Sequence, residues 1–342
     1  MKFWKMNGAG NDFILINNID EQIPQEKLPQ IARTLCERHL SLGADGMMVV
    51  ERPEAGMDAD IRMLFYNSDG SLGEMCGNGA RCICRYCYEN GLGRDAAHPE
   101  LQSIQATAGI VTGQRISQRL YRIRLNDPSL IELKKILKLD PQGIPALAAA
   151  ADRLPAGSIP ETLSVECGYV LLGDPGIPHI TVEYKDDVAR ICAKSPAAGA
   201  SAPDGNGASE PGGNSASSDS QPHLKDADEN VLRELGRALR FHPDLPKGAN
   251  VNFYEILGKD LVFERTFERG VEDFTYACGT GTGSLAAVLT LEQRASGNQI
   301  RFQMTGGELI VDILTNPDVQ IYLTGPTNIV AKGEITDEDL SV

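Results

Sequence analysis

The sequence predicts an α+β fold of two similar domains with the active site between them. Two observations lead to this prediction. The tetrapeptide Cys-Gly-x-Gly occurs twice, starting at Cys76 and at Cys278, near matching points of two roughly equal halves. Each half also reads as strands, the thiol, a helix and further strands, and the helices are too few and too irregularly placed for alternating βαβ units. The pattern indicates a duplicated domain with one cysteine at the start of a helix in each copy.

The first domain is predicted to cover residues 1–127, with the C-terminal strand 326–342 returning to it. Strands are expected over 2–6, 13–17, 47–51 and 61–66, because short apolar runs there are bounded by Gly, Asn and Asp turns. Apolar residues at helical spacing predict a helix over 25–39. A second helix follows Cys76 and runs to residue 90, where Gly91 is suited to end it.

The second domain is predicted over 128–325. The rise in Pro, Gly and Ala over 140–162 indicates a loop-rich connection, and helices are expected over 227–239 and 281–295. Strands are expected over 165–172, 180–184, 251–257, 261–267, 299–305, 308–314 and 319–324. The stretch 193–222 is dominated by Ala, Gly, Ser, Pro and Asn, so it cannot bury enough apolar surface to offset its ordering entropy. It is predicted to be a flexible, low-complexity surface insertion.

Composition and charge exclude several classes of protein. A formal charge of −15 argues against non-specific binding to nucleic acid or to anionic membranes. The N-terminal residues show no signal peptide, and no stretch approaches the ~20 apolar residues of a membrane span. We therefore expect a cytoplasmic protein whose partner is a small molecule.

The eight cysteines do not form a recognisable disulfide or metal pattern. Cys84 and Cys87 form a lone CxxC with no second CxxC and no matching His pair, and together with Cys82 they lie inside a predicted helix. We expect these three to be small buried hydrophobic residues and predict no metal site. A G-x-S-x-G hydrolase motif and a P-loop are also missing, and the glycines of 7–12 do not complete a dinucleotide motif.

Cys-Gly-x-Gly at the start of a helix suits acid–base chemistry on an anionic substrate. The free N–H groups of the first turn and the helix dipole favour a carboxylate there, and glycine lets the backbone approach it closely. The same field is expected to lower the thiol pKa. Two such sites facing one substrate predict that one sulfur removes an α-proton while the other protonates the opposite face. A redox pair of cysteines stays open as an alternative.

Several motifs give the chain a resemblance to the diaminopimelate epimerase family over nearly its whole length. They are Met6-Asn7-Gly8-Ala9-Gly10-Asn11-Asp12-Phe13, Tyr66-Asn67-Ser68-Asp69-Gly70-Ser71, Cys76-Gly77-Asn78-Gly79-Ala80-Arg81-Cys82, Gly248-Ala249-Asn250-Val251-Asn252-Phe253, Glu268-Arg269-Gly270 and Ala277-Cys278-Gly279-Thr280-Gly281. The resemblance implies two pseudo-symmetric domains, each a curved, mostly antiparallel sheet or barrel around a central helix. It also implies a homodimer.

The resemblance further implies the conversion of LL- to meso-diaminopimelate, a precursor of lysine and peptidoglycan, without pyridoxal phosphate or another cofactor. Cys76 and Cys278 would be the catalytic acid and base, and His179 with Glu268 would modulate their pKa values. The substrate-binding residues that the resemblance implies are Asn11, Asn67, Gly77, Asn78, Asn250, Glu268, Arg269, Gly279 and Thr280.

The chain departs from the family pattern on one side of the expected pocket. The usual Gly-Asn-Pro-His reads Gly176-Ile177-Pro178-His179, so Ile177 replaces a substrate-binding Asn, and Asp174 is a candidate substitute. The stretch between Gly270 and Cys278 is one residue longer than the commonest family form, with Phe274 where a Glu is common. Two alternatives stay open: a two-cysteine racemase of another amino acid such as histidine, and a non-catalytic redox-sensing or amino-acid-binding protein.

Overall fold

The computed structural model describes residues 1–73, 76–107, 109–151, 159–194 and 222–336. The segment predicted to be flexible, 193–222, lies outside the described residues except at its ends. Within the described ranges, none of the helices has the length and apolar character needed to cross a membrane.

The elements of the first half follow one another as strands, a thiol-bearing helix and strands. They are β1 (Lys2–Gly8), β2 (Asn11–Asn17), α1 (Asn18–Glu21), α2 (Leu28–Cys36), β3 (Gly46–Glu51), β4 (Ile61–Asn67), β5 (Leu72–Gly73), α3 (Gly77–Asn90), β6 (Leu101–Ala106), β7 (Gly109–Arg115) and β8 (Leu120–Arg124).

The second half repeats this order and adds helices. Its elements are β9 (Pro128–Leu139), α4 (Pro145–Ala151), β10 (Leu163–Leu172), β11 (Ile177–Glu183), α5 (Asp186–Cys192), α6 (Glu229–Arg240), β12 (Asn250–Gly258), β13 (Leu261–Glu268), β14 (Asp273–Thr275), α7 (Gly279–Leu291), β15 (Ile300–Met304), β16 (Gly307–Leu314), β17 (Gln320–Pro326) and β18 (Asn328–Glu334).

The strands form one continuous sheet in which a single pairing pattern occurs twice. In the first half, β1–β2 is antiparallel, β2–β3 parallel, β3–β4 antiparallel, β4–β6 parallel, and β6–β7 and β7–β8 antiparallel. The series from β10 through β11, β12, β13, β15 and β16 to β17 has the same senses in the same order. The repeated tetrapeptide is therefore part of a repeated sheet.

The two copies of this sheet pattern are joined at their edges, and each has one further strand paired to its first strand. β8 pairs with β17, so the sheet crosses from one half to the other without a break. β18 pairs with β1 in the same antiparallel sense in which β9 pairs with β10. The chain thus returns at its C-terminal end to the first strand, while the division into domains at residue 127 stays a prediction.

One long helix lies inside each half of the sheet. α3 packs on β1, β2, β6, β7 and β8, and α7 packs on β9 to β12, β16 and β17. Both are buried over most of their length, as a helix enclosed by a sheet must be. The α+β prediction, with a curved and mostly antiparallel sheet, is confirmed. Cys82, Cys84 and Cys87 on α3 are fully buried in this core, as expected.

Three local predictions need correction. The connection 140–162 contains α4, because its alanines are strong helix formers once Pro145 has started the helix. The helix expected over 25–39 is α2, which ends at Cys36 after a 3-10 turn over Gln25–Lys27. α7 ends at Leu291, four residues early. The end of α3 is confirmed, since Gly91 adopts φ 61° and accepts the left-handed geometry of a helix C-terminus.

Candidate active site

Each cysteine of the repeat lies immediately before the first turn of a central helix. Cys76 precedes α3 with φ −132° and ψ 111°, and Cys278 precedes α7 with φ −119° and ψ 99°. Neither side chain caps its helix. The first-turn N–H groups of a helix have no partner within the helix, and those of Asn78 and Gly79 act on the Cys76 sulfur, as that of Gly281 does on Cys278. The predicted helix starts are therefore present in both halves and have the same geometry.

The two helix starts are held side by side by the amide of Asn78. Its Nδ2 donates to the carbonyl of Ala277 (3.3 Å), the residue before Cys278, and to Oδ1 of Asn11 (2.6 Å). Its Oδ1 accepts from Nη2 of Arg81 (2.7 Å). The side chain of Asn78 is 2% exposed, so it connects the halves and leaves only its backbone for a ligand.

A cleft of about 1080 Å³ opens between the halves. Of the residues singled out from the sequence, those that line it are Asn11, Asn67, Cys76, Ile177, Asn250, Glu268, Arg269, Phe274 and Thr280. Those that are not among its lining residues are Gly77, Asn78, Asp174, His179, Cys278 and Gly279. The structure therefore brings most of the predicted set to one cleft, with one thiol on the wall and the other just beneath it.

The thiol protonation state differs from the sequence expectation. Burial raises the pKa of Cys76 to about 11, and the nearby Glu268 carboxyl adds to the rise. The N–H groups of Gly79 and Asn78 act in the opposite direction. Burial also raises the pKa of Cys278 well above its usual range, with Glu268 again adding and the Thr280 hydroxyl, 3.5 Å from Sγ, opposing. The expectation of a lowered thiol pKa is therefore wrong here, because desolvation outweighs the field of the helix start.

The polar side chains of the cleft are ordered by their own hydrogen bonds. Oδ1 of Asn250 accepts from the N–H of Arg269 (2.8 Å), and its Nδ2 donates to the carbonyl of Pro178 (3.2 Å). Nδ2 of Asn67 donates to Oγ of Ser71 (2.9 Å). Asn250 thus fixes the position of Arg269, whose guanidinium makes one long bond of 3.4 Å to the carbonyl of Lys247.

Asp45 is a cleft residue that the sequence reasoning missed. Its Oδ2 accepts from Nδ2 of Asn11 (3.1 Å) and its Oδ1 pairs with Arg38 (2.8 Å). Asp45 and Glu268 both line the cleft, and the pKa of Glu268 is raised by burial and, to a smaller extent, by the charge of Asp45. The signal that could have found it is its place in the chain, since Asp45 directly precedes the buried strand β3.

His179 lies in the core of the second half. It is fully buried, with Nδ1 3.5 Å from Nδ2 of Asn252 and no hydrogen-bond partner for Nε2 among the described residues. Burial lowers its pKa to about 3, and the charge of Arg269 lowers it further, so the ring is neutral at physiological pH. Its connection to the site runs through Asn252, whose Oδ1 packs against Gly281 in the first turn of α7. Its influence on the thiols stays a prediction.

The strand registers show which residues of the two halves are equivalent. In the parallel pairs β2–β3 and β11–β12, Phe13 pairs with Gly46 and His179 pairs with Asn250. Phe13 and His179 therefore correspond, and two residues earlier Asn11 corresponds to Ile177. Asn67 and Glu268, the last residues of β4 and β13, correspond in the same way. The cleft thus has a matching pair of thiols and unlike side chains around them.

Comparison with known proteins agrees with this architecture. The sequence model for diaminopimelate epimerase matches residues 3–107 and 222–330. The chain belongs to the diaminopimelate epimerase family. This family of isomerases includes the diaminopimelate epimerase of Moorella thermoacetica, 30% identical over 98% of this chain and 99% of the relative. The enzyme of Aquifex aeolicus is 28% identical over 99% of both chains. Ile177 and His179 lie outside the two matched ranges.

Solved structures show that the family fold is shared more widely. A hydroxyproline epimerase from Agrobacterium vitis has a TM-score of 0.58 at 14% identity, covering 98% of this chain and 90% of that one. A methylitaconate-delta-isomerase has a TM-score of 0.54 at 12% identity, covering 98% and 95%. At these identities the likeness concerns the fold alone.

Proposed function

We propose that the protein interconverts LL- and meso-2,6-diaminopimelate with Cys76 and Cys278 as the acid and base. The observation that carries this proposal is the pairing of the two cysteine-bearing helix starts at one cleft, through Asn78 and the carbonyl of Ala277. Two thiols on opposite sides of one carbon suit a reaction that removes a proton from one face and adds one to the other.

The proton transfers balance without a cofactor. One sulfur, as thiolate, takes the α-proton and becomes a thiol, and the carbanion is stabilised by its carboxylate. The other thiol then protonates the opposite face and becomes the thiolate. The first-turn N–H groups of Gly77, Asn78, Gly279 and Thr280 are placed to stabilise negative charge on the carboxylate or on sulfur. Because burial raises both thiol pKa values, we propose that positive charge has to accompany the active thiolate.

We assign the distal amino-acid group to the charged side chains that line the cleft. Arg269 can bind a carboxylate with both of its terminal nitrogens, while Glu268 and the newly found Asp45 can accept from an ammonium group. Asn11, Asn67 and Asn250 line the same cleft, and we assign to them the orientation of the ligand. A substrate with an amino acid at each end matches this combination of two thiols and one charged clamp.

A second candidate function is racemisation of another amino acid. It is favoured by Ile177, which lines the cleft at the position that corresponds to Asn11 in the other half. An apolar residue there removes one hydrogen-bond partner for a polar distal group. A redox-sensing or amino-acid-binding protein is the third reading, because two neighbouring thiols can also be oxidised.

Exchange in deuterated water separates these readings. The reduced protein is incubated with LL-diaminopimelate and, separately, with L-histidine, L-glutamate and L-proline, and α-deuterium and product stereochemistry are measured. We expect exchange with diaminopimelate alone. Exchange only with another amino acid would establish the second function, and no exchange with any of them would leave the third.

Cysteine variants test the mechanism within the same assay. Cys76→Ala and Cys278→Ala should each abolish racemisation, because each removes one of the two proton carriers. Cys82→Ala is the matched control, since Cys82 is a buried thiol on α3 that does not line the cleft. Full turnover by either of the first two variants would refute the two-base mechanism.

We also propose that the protein is cytoplasmic and forms a homodimer. Light scattering of the purified protein would test the dimer.

A further inference from the structure

Arg81 carries a buried charge for which the structure shows no counter-ion. It lies on α3 one turn after the first thiol, and its side chain has no exposed surface. Nη2 donates to Oδ1 of Asn78 (2.7 Å), whereas Nε and Nη1 have no hydrogen-bond partner among the described residues. None of the carboxylates in those residues forms an ion pair with it. A guanidinium is rarely buried without such a partner, so this one calls for a specific explanation.

The guanidinium lies beneath the starts of both central helices. A methyl group on Gly325 of β17 would lie 2.9 Å from Nε and Cζ of Arg81, so the guanidinium packs directly against the backbone of this glycine. A methyl group on Gly279, the first residue of α7, would lie 4.0 Å from Nη1. The unpaired charge is therefore one turn from Cys76 on its own helix and next to the residue that follows Cys278.

Arg81 also determines which way the amide of Asn78 points. The guanidinium can only donate, so it requires the oxygen of that amide on its own side. The nitrogen then faces Oδ1 of Asn11 and the carbonyl of Ala277, which are both acceptors. The link between the two helix starts thus depends on a donor at position 81.

We propose that Arg81 is a positioning residue for the two-thiol reaction, one that locks Asn78 between the halves and supplies unpaired positive charge to both helix starts. The proposal rests on the proposed function. It accounts for how a thiolate can form at a site where burial and carboxyls oppose it.

The groups around Arg81 are consistent with this role. Burial lowers its own pKa to about 10, so it stays charged at neutral pH, and the neighbouring thiols of Cys76, Cys82 and Cys84 favour its charged form. In return, its charge lowers the pKa of Cys76. Glu268 raises the pKa values of both reacting thiols from the other side, and Glu264 also raises that of Cys278. At Cys76, the charge of Arg81 opposes that of Glu268.

The test measures thiol reactivity, which needs no substrate. The pH dependence of Cys76 alkylation by iodoacetamide is followed by peptide mass spectrometry in the parent, in Arg81→Gln and in Arg81→Lys. We expect Arg81→Gln to raise the alkylation midpoint by about one pH unit, a tenfold loss of thiolate at a given pH. Its exchange rate should fall about 100-fold, mainly in kcat. Arg81→Lys keeps the charge and should stay within about half a unit of the parent midpoint.

The control is Arg85→Gln. Arg85 is a second buried arginine one turn further along α3, but its charge is paired with Glu89 and it donates to the carbonyl of Thr327. We expect it to leave the Cys76 midpoint unchanged. An unchanged midpoint in folded Arg81→Gln would overturn the proposal. If that variant does not fold, Arg81→Lys decides: a midpoint raised by a full unit despite the retained charge would overturn it. Failure of the parent to exchange any amino acid would refute the proposed function. The alkylation midpoints would still report how Arg81 affects the Cys76 thiol.

Discussion

The stability of this protein should fall as the pH rises from about 5 to 9 because of one buried carboxyl, Glu264. This residue of β13 is 2% exposed, and its Oε2 accepts from Oγ1 of Thr282 in the first turns of α7 (2.7 Å). Its Oε1 has no hydrogen-bond partner among the described residues. Burial raises the pKa of Glu264 from its ordinary 4.5 to about 8.

The sign follows from proton binding in the two states. Below about pH 4.5 the carboxyl is protonated whether the chain is folded or unfolded, and its contribution to stability is fully present. Between that pH and about 8 the unfolded chain ionises while the folded protein keeps its proton, so stability is lost as the pH rises. Since one pKa unit is worth about 1.4 kcal/mol, the loss has a ceiling of about 5 kcal/mol.

Glu264→Gln removes the titration and keeps an oxygen for Thr282. The free energy of unfolding is measured by urea denaturation from pH 5 to 9, followed by circular dichroism. We expect the parent to lose about 2 kcal/mol or more relative to Glu264→Gln over this range, because the cost of the new amide does not depend on pH. Glu166→Gln, an exposed glutamate on β10, is the control and should run parallel to the parent. A pH-independent difference between parent and Glu264→Gln would refute the reasoning.

Three further predictions concern the cleft and its walls. Gly279→Ala should lower the free energy of unfolding, measured by urea denaturation, by about 1–3 kcal/mol, because its methyl would lie 2.7 Å from Cδ2 of Leu323. Gly77→Ala is the control: its methyl would have no contact under 3.6 Å, and the free energy of unfolding should change by less than about 0.5 kcal/mol. Equal losses in the two variants would contradict the packing argument. Phe274→Ala should lower the free energy of unfolding by about 2 kcal/mol in the same assay, because the centroid of its half-buried ring lies 5.8 Å from that of Phe267 and the Arg265 guanidinium stacks over it. An unchanged free energy of unfolding would show that this ring does not contribute to core packing. Ile177→Asn should lower KM for diaminopimelate up to about tenfold with kcat little changed, as the added amide restores a hydrogen bond; a higher KM would favour another substrate.

Local sequence signals predicted the parts of the fold that depend on neighbours in the chain. The starts of α3 and α7 follow from glycines after each cysteine, and the end of α3 follows from Gly91, whose positive φ suits glycine. The repeat order of strands followed from turn residues between apolar runs. These features need no knowledge of distant contacts, and the structure has them where the sequence indicated.

Features set by distant contacts were not predictable. The thiol pKa values depend on burial in the folded protein, which no local pattern reports, so the helix field alone gave the wrong direction. Arg81 appeared in the sequence only as part of a motif, and its burial without a counter-ion among the described residues is visible only once the helices are packed. Phe274 was read as a departure in the pocket, yet its ring also packs against Phe253 and Phe267 in the second core.

The way the duplicated halves differ bears on which substrate fits. The thiols correspond, as do their helix starts, which supports the proposal that either sulfur acts as acid or base. Around them the correspondence fails: Asn67 in one half is matched by Glu268 in the other, and Asn11 is matched by Ile177. A symmetric pocket would bind the two ends of diaminopimelate equally and would have no fixed reacting centre. Because the side chains around the two thiols differ between the halves, we propose that the substrate has one preferred orientation and that only one of its two α-carbons exchanges its proton.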